Sequence, residues 1–326
     1  LGGSFWEFGE PDWEHTKYLM LWGVAEDHDS NPIKLGLGKL KGRGAKIVAV
    51  NPVRTGYAAI ADEWIGIRPG TDGLFAGALI RELLIADRID FDYLVKYTNA
   101  HHLVVRNPGG ADDGLIARDA QGNPLCATQV QSLSPIASDG GEGRVRGRRM
   151  EQGGAEATPD ATPSPQPSPP TTSGEREYVI VCADSPDISP CIVGKFTLPD
   201  GRIAVPSFQL LAERFLADDY APETVAPQCG IDVATIRRIA TELAETAFDQ
   251  EIRLPQRWTD THGREHSEMI GRPVSMHAMR GIAAHANGFH TCRAIHVLQM
   301  LLGAIDTPGS FRYQPPYPKS VPPANR

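Results

Sequence analysis

The sequence predicts an α/β fold organised around Rossmann-like parallel sheet units. Two short apolar segments, YLMLW at 18–22 and AKIVAV at 45–50, each run directly into a polar loop. A helix-like stretch follows each of them, which is the pattern of a β-α-β unit. In such sheets ligands bind beyond the carboxyl ends of the strands. No G-x-G-x-x-G follows the first strand, so the expected ligand is nucleotide-like without being an ordinary nicotinamide cofactor.

The elements follow in order. Thr71 and Asp72 read as a helix N-cap, opening a helix to about residue 86 with Leu74, Ala78, Leu79 and Leu83 on its apolar side. A second helix is expected at 90–97, burying Phe91, Leu94 and Val95, and a short strand at 103–105. The composition then changes. Between 128 and 177 no apolar periodicity is sustained, and six prolines fall between Pro159 and Pro170. Such a stretch buries too little to offset its ordering entropy, so it reads as a disordered Pro/Gly-rich insertion without chemistry. It separates a cofactor-binding part, 1–127, from a second α/β part, 178–326. In the latter, YVIVC at 178–182 reads as a strand and Pro199-Asp200-Gly201 as the turn of a hairpin. Helices are expected at 206–217, at 232–247 (Asp232 as N-cap; Val233, Ile236, Ile239, Ala240 and Leu243 buried) and at about 291–302. The closing PPYPKSVPP reads as extended.

Composition narrows the function. The net charge is −8 over 326 residues with no basic stripe, which argues against nucleic acid as a partner. No apolar run approaches the roughly 18–20 residues that cross a bilayer. The five cysteines (Cys126, Cys182, Cys191, Cys229 and Cys292) include no C-x-x-C pair, so neither a zinc site nor a local iron–sulfur motif is expected. Scattered single thiols suit a reducing compartment. The chain opens at Leu1 without a methionine and closes in a proline-rich tail, which reads as a fragment of a longer subunit.

Candidate ligand contacts lie at the strand ends. Gly23 lets the backbone turn after the first strand, although Glu26, Asp27 and Asp29 make that loop acidic; a phosphate contact and a solvated turn are both open. After the second strand, the Asn51 amide can bond a ribose or base, Pro52 stiffens the turn, and Arg54 offers a fork to phosphate or else pairs with Asp62. Arg68-Pro69-Gly70-Thr71-Asp72 is either a plain helix start or a carboxylate set for the N1 and N2 donors of guanine. His277, His285, His290 and His296 show no H-x-x-x-H pair on one helix face, so a histidine metal site is not expected; H-A-N-G at 285–288 reads as a tight turn.

Four blocks resemble one known family: LWGVAEDHDSNP (21–32), VNPVRTGYAAIADEWIGIRPGTD (50–72), GIAAHANGFHTCRAIHVLQMLLGAIDTPGSF (281–311) and, more weakly, CGIDVATIRRIATELAET (229–246). They are similar to the molybdopterin oxidoreductases of the dimethyl-sulfoxide-reductase type, with wording nearest to the molybdenum subunit of cytoplasmic sulfite dehydrogenases. The resemblance implies a bis-molybdopterin guanine dinucleotide cofactor carrying molybdenum or tungsten. It implies that Gly23, Ala25 and Glu26 lie against one dinucleotide, that Asn51, Pro52, Arg54 and Thr55 line its guanosine end, and that Gly70 and Asp72 meet guanine. Gly281, His285, Asn287 and Gly288 would approach the pterin and metal. His285 and Arg312 are candidates for a small anionic substrate, with a surface arginine the favoured reading of Arg312.

The family's metal ligand and its 4Fe-4S cluster cysteines lie upstream of the first block, so no residue here is assigned to either, and the fragment alone is expected to be inactive. The implied reaction is oxidation of sulfite, or reduction of polysulfide, thiosulfate or tetrathionate, with electrons leaving through iron–sulfur clusters. Implied partners are a membrane anchor and an iron–sulfur electron-transfer subunit, which would make the protein cytoplasmic but membrane-associated. Formate dehydrogenase, nitrate reductase and a molybdenum-free relative of the complex I type are the alternatives. A nicotinamide dehydrogenase is disfavoured by the missing glycine fingerprint.

Overall fold

The computed structural model describes residues 10–24, 33–54, 56–129, 178–184, 188–260 and 263–312. In chain order the principal elements are β1 (Tyr18–Trp22), α1 (Ile33–Gly42), β2 (Lys46–Val50), β3 (Glu63–Ile65), α2 (Asp72–Ile85), α3 (Phe91–Tyr97), β4 (Leu103–Val105), β5 (Leu125–Gln129) and β6 (Tyr178–Cys182). They continue with β7 (Phe196–Thr197), β8 (Ile203–Pro206), α4 (Ser207–Leu216), α5 (Pro222–Cys229), α6 (Val233–Ala244), β9 (Val274–Ala278) and α7 (Gly288–Leu301).

The central sheet has the order β9-β1-β2-β3 and is parallel throughout. β1, β2 and β9 are buried, and β1 and β2, covered on both faces, read as nearly unbroken apolar runs. Tyr18, Met20 and Trp22 join Val48 and Val50 against the helical layer of α2, α6 and α7, while Leu19, Leu21, Ile47 and Ala49 pack with Leu37 and Leu40 of α1 on the other face. The β-α-β reading of residues 18–50 therefore holds. Missing from that reading is β9, whose V-S-M-H-A text puts Ser275 and His277 between its apolar residues, yet it pairs with β1 over its full length.

A second unit flanks this sheet. β4, β8 and β7 form an antiparallel sheet, and β5 pairs antiparallel with β6. The expected turn at 199–201 closes β7 and β8, with Gly201 at φ 87°. The insertion is expected from 128, but Thr128 and Gln129 belong to β5 and face Val179 and Tyr178. The remainder, 130–177, lies outside the described residues, as does the tail from 313.

Helix starts follow their caps. Asp90 accepts from the Tyr93 amide at 2.9 Å and Asp232 from the Thr235 amide at 2.8 Å. Phe91, expected to be buried, is 40% exposed, because it lies in the first turn of α3 with only Leu94 turned into the core. α6 ends at Ala244 and continues as a π-turn over Glu245–Asp249. α7 begins at Gly288, three residues before the expected start, since Asn287 of the H-A-N-G turn is its N-cap. α5 has no counterpart among the expected helices; Pro222 opens it and Gly230, at φ 74°, closes it. Among the described residues no helix is long and apolar enough to cross a membrane.

Candidate functional site

A parallel sheet carries all its strand ends to one edge, and here four loops meet there. Gly23 follows β1 at φ 63°, donating its N–H to Val50 O at 3.0 Å. A Cβ at Gly23 would lie 2.8 Å from Ile282 Cγ2, and one at Gly281 would lie 3.9 Å from Gly23 O, so the loops after β1 and β9 abut. The Asn51 N–H, just past β2, donates to Ile65 O at 3.1 Å and ties that loop to β3.

Asn51 is 5% exposed. Its backbone carbonyl accepts from Trp64 Nε1 at 2.8 Å, and its side-chain Oδ1 accepts from the Val53 amide at 3.2 Å. Its Nδ2 is enclosed and has no hydrogen-bond partner among the described residues. A buried amide donor without an acceptor costs free energy that a bound acceptor would recover. The indole Nε1 of Trp22, the last residue of β1, is likewise enclosed without a partner among the described residues; in the sequence Trp22 looks like plain core, and nothing local marks it. Pro52 and Arg54 are exposed. The alternative pairing of Arg54 with Asp62 is not formed: Asp62 instead meets Lys41 at 3.4 Å and accepts from the Ile47 amide at 2.8 Å.

Asp72, the first residue of α2, is 5% exposed, and burial raises its carboxyl above the ordinary value while the charge of His285 opposes the shift. The residue before it, Thr71, does not cap α2 with its side chain; its Oγ1 donates to Arg68 O at 2.7 Å. Gly70, at φ 79°, faces the imidazole of His285, whose Nδ1 would be 3.6 Å from a Cβ there. Asn287 likewise leaves its own helix uncapped and donates Nδ2 to Gly70 O at 3.1 Å. Two 14-residue helices, α2 and α7, thus begin side by side with first-turn N–H groups free of side-chain caps, an arrangement that favours anions. Gly288 allows the tight entry to α7, since a Cβ there would come 2.2 Å from Ala283 O.

The structure therefore gathers Gly23, Asn51, Gly70, Asp72, Gly281, His285, Asn287 and Gly288 at one edge. Ala25, Glu26 and Thr55 lie outside the described residues. Arg312 stands apart. It pairs with Glu10 at 3.5 Å in a two-residue ladder whose second strand is approached from Gly309, the carbonyl of which accepts from Thr16 Oγ1 just before β1 at 2.8 Å. None of the five cysteines forms a disulfide among the described residues; Cys292 sits buried in α7 with its thiol pushed up by burial. Chemically, the edge offers a buried carboxylate acceptor, an orphan amide donor and two helix starts. That set suits a planar base with paired N–H donors joined to phosphates.

A family model described as molybdopterin oxidoreductase matches residues 4–314. The chain is 42% identical over 324 residues to the A subunit of the sulfite dehydrogenase of Allochromatium vinosum, covering 99% of this chain and 29% of that protein. It is 29% identical over 248 residues to the alpha subunit of the perchlorate reductase of Dechloromonas aromatica, covering 72% and 24%. Among solved structures, acetylene hydratase from Pelobacter acetylenicus aligns with a TM-score of 0.45 and 14% identity, over 92% of this chain and 23% of that one. The chain spans less than a third of the length of either curated relative.

Proposed function

Because this chain belongs to the molybdopterin oxidoreductase family, we propose that it is the cofactor-binding part of a catalytic subunit that holds a molybdopterin guanine dinucleotide and acts on a sulfur oxyanion. The substrate class is sulfite, oxidised by two electrons to sulfate, or a related sulfur compound reduced in the opposite sense. When bound, the cofactor supplies a molybdenum or tungsten centre for the two-electron chemistry. The residues of this chain bind and orient it. Asp72 accepts from the guanine N1 and N2 donors, Asn51 Nδ2 donates to an acceptor on the same nucleoside, and Arg54 with the starts of α2 and α7 faces phosphate charge. Gly23 and Gly281 keep the backbones close, and His285 and Asn287 border the pterin side. Iron–sulfur clusters receive the electrons, one in the part of the subunit upstream of this chain and others in an iron–sulfur partner held at the cytoplasmic face by a membrane anchor.

One observation carries the cofactor reading: a carboxylate and an orphan amide donor are both buried at the strand ends, where a cofactor-free role leaves each at a cost. The substrate class rests on the similarity to a sulfite dehydrogenase along nearly the whole chain.

The test uses the full-length protein purified from its own host. Elemental analysis and acid release of nucleotide should give about one metal and about two guanine nucleotides per chain. Turnover with sulfite, set against formate and nitrate, then identifies the substrate. A folded protein with neither metal nor guanine overturns the proposal.

A further inference from the structure

A helix leaves its last carbonyls without intrahelical donors. α5 ends at Cys229, and the N–H of Gly230 takes Ala226 O at 2.9 Å. The carbonyls of Pro227 and Cys229 are both satisfied by one residue from far upstream. The Arg68 N–H donates to Cys229 O at 2.9 Å and the Arg68 guanidinium donates through Nη1 to Pro227 O at 2.7 Å. The Cys229 thiol reaches back to Thr71 O at 3.5 Å. Thr71 is folded onto Arg68, with Oγ1 at 2.7 Å and N–H at 3.2 Å from Arg68 O. Gly230, at φ 74°, turns the chain after α5 directly beside the Arg68 side chain, whose Cγ and Nε lie 3.6 Å from where a Cβ would sit. These bonds close a ring from Arg68 to Thr71 around Pro69 and Gly70, and Asp72 directly follows Thr71.

We propose that Arg68 is a positioning residue for Asp72, clamping the loop before α2 to the carboxyl end of α5 so that the buried carboxylate meets its base in register. The inference rests on the reading of Asp72 as the base-binding carboxylate. The physical reason is tolerance: two parallel hydrogen bonds from a planar base need their acceptor held to roughly 0.5 Å and 10–20°. The loop contains a glycine at positive φ, Gly70, and would otherwise sample a wider range. A cation at a helix carboxyl end is also favoured by the helix dipole, which keeps the clamp closed. Arg68 needs no contact with the ligand for this role.

The experiment uses the full-length protein from its host, with Arg68→Ala, Arg68→Lys and, as control, Asp232→Ala. The control removes the cap of α6 and lowers stability without touching the loop. Guanine nucleotide per chain is followed over time after gel filtration, with thermal melting in parallel. Arg68→Ala should release guanine about tenfold faster than the unsubstituted protein. Arg68→Lys, which keeps the charge and one donor, should fall between them and carries the test if the alanine variant fails to fold. Asp232→Ala should melt lower yet hold its guanine. An Arg68 variant that retains guanine as long as the unsubstituted protein overturns the clamp, and so does equal loss from Asp232→Ala. Guanine absent from the unsubstituted protein overturns the site reading itself, and the clamp with it.

Discussion

Gln129 and Tyr178 are the cross-strand partners that close the loop end of the β5–β6 hairpin, so residues 130–177 leave and re-enter the fold at one point. Closing a long loop costs more entropy than closing a short one, by about 0.6 kcal/mol for each doubling of length. Replacing 130–177 with a Gly-containing turn of about four residues should therefore raise unfolding stability by about 2 kcal/mol. Urea denaturation of the two full-length proteins would show it. A fall in stability would mean that the segment contributes contacts of its own.

Asp72→Asn should separate stability from cofactor retention. Burial raises the Asp72 carboxyl above its ordinary 3.8, so the folded chain holds that proton more tightly than the unfolded one. Its favourable contribution is complete below 3.8 and disappears as pH climbs through the raised value. At pH 7 the cofactor-free Asn variant should thus unfold at a higher temperature than the unsubstituted chain. The loaded variant should lose guanine roughly tenfold to a hundredfold faster, because one of the two base donors then faces an amide N–H. Melting curves across pH and nucleotide release rates check the two halves separately.

Much of the fold can be read locally, and the reasons are physical. β1 and β2 are covered on both faces, so their apolar runs are continuous; Asp90 and Asp232 announce α3 and α6 because a carboxylate at an N-cap has a local job. By contrast, β9 carries Ser275 and His277 among its buried residues, and its partner β1 lies some 250 positions upstream, a pairing no local window contains. The same holds at the site. The strand-end glycines and Asn51 stand out in the sequence, but which loops meet does not. The Asn287 bond to Gly70 O and the Arg68 bond to Pro227 O exist only once the tertiary fold is complete.

Gly23→Ala should destabilise the protein by about 1–2 kcal/mol through its left-handed backbone alone. The new methyl would also start 2.8 Å from Ile282 Cγ2, pressing the loop after β9 away from the loop after β1. Denaturant midpoints measure the first effect and guanine retention the second. An unchanged midpoint would show that the turn can be made without a positive φ.

Glu242 fastens α6 to the sheet. It accepts from Tyr18 Oη at 2.8 Å, Lys46 Nζ at 2.6 Å and Arg238 Nη1 at 2.8 Å. Burial would raise its carboxyl, but the bonds from Lys46, Arg238 and Tyr18 outweigh it and hold the carboxyl below the ordinary 4.5. Its stabilisation is present above 4.5 and is lost as pH falls through the lowered value. Glu242→Ala should cost about 2 kcal/mol at pH 7 and flatten the acid limb of the stability curve. Denaturation at pH 7 and pH 3 would test both, and an equal cost at the two values would remove the carboxylate from the account.

The order of strands in the central sheet also sets a timetable. β1 is made some 250 residues before its neighbour β9, which is completed only at Ala278, and the loop bearing His285 comes later still. While the ribosome is at work, one long side of β1 has no partner, an invitation to stray pairing that a nascent chain must survive. The edge where the loops after β1 and β9 abut is incomplete until β9 arrives. A ligand seated at this edge therefore needs β9 and the loop bearing His285 already in place.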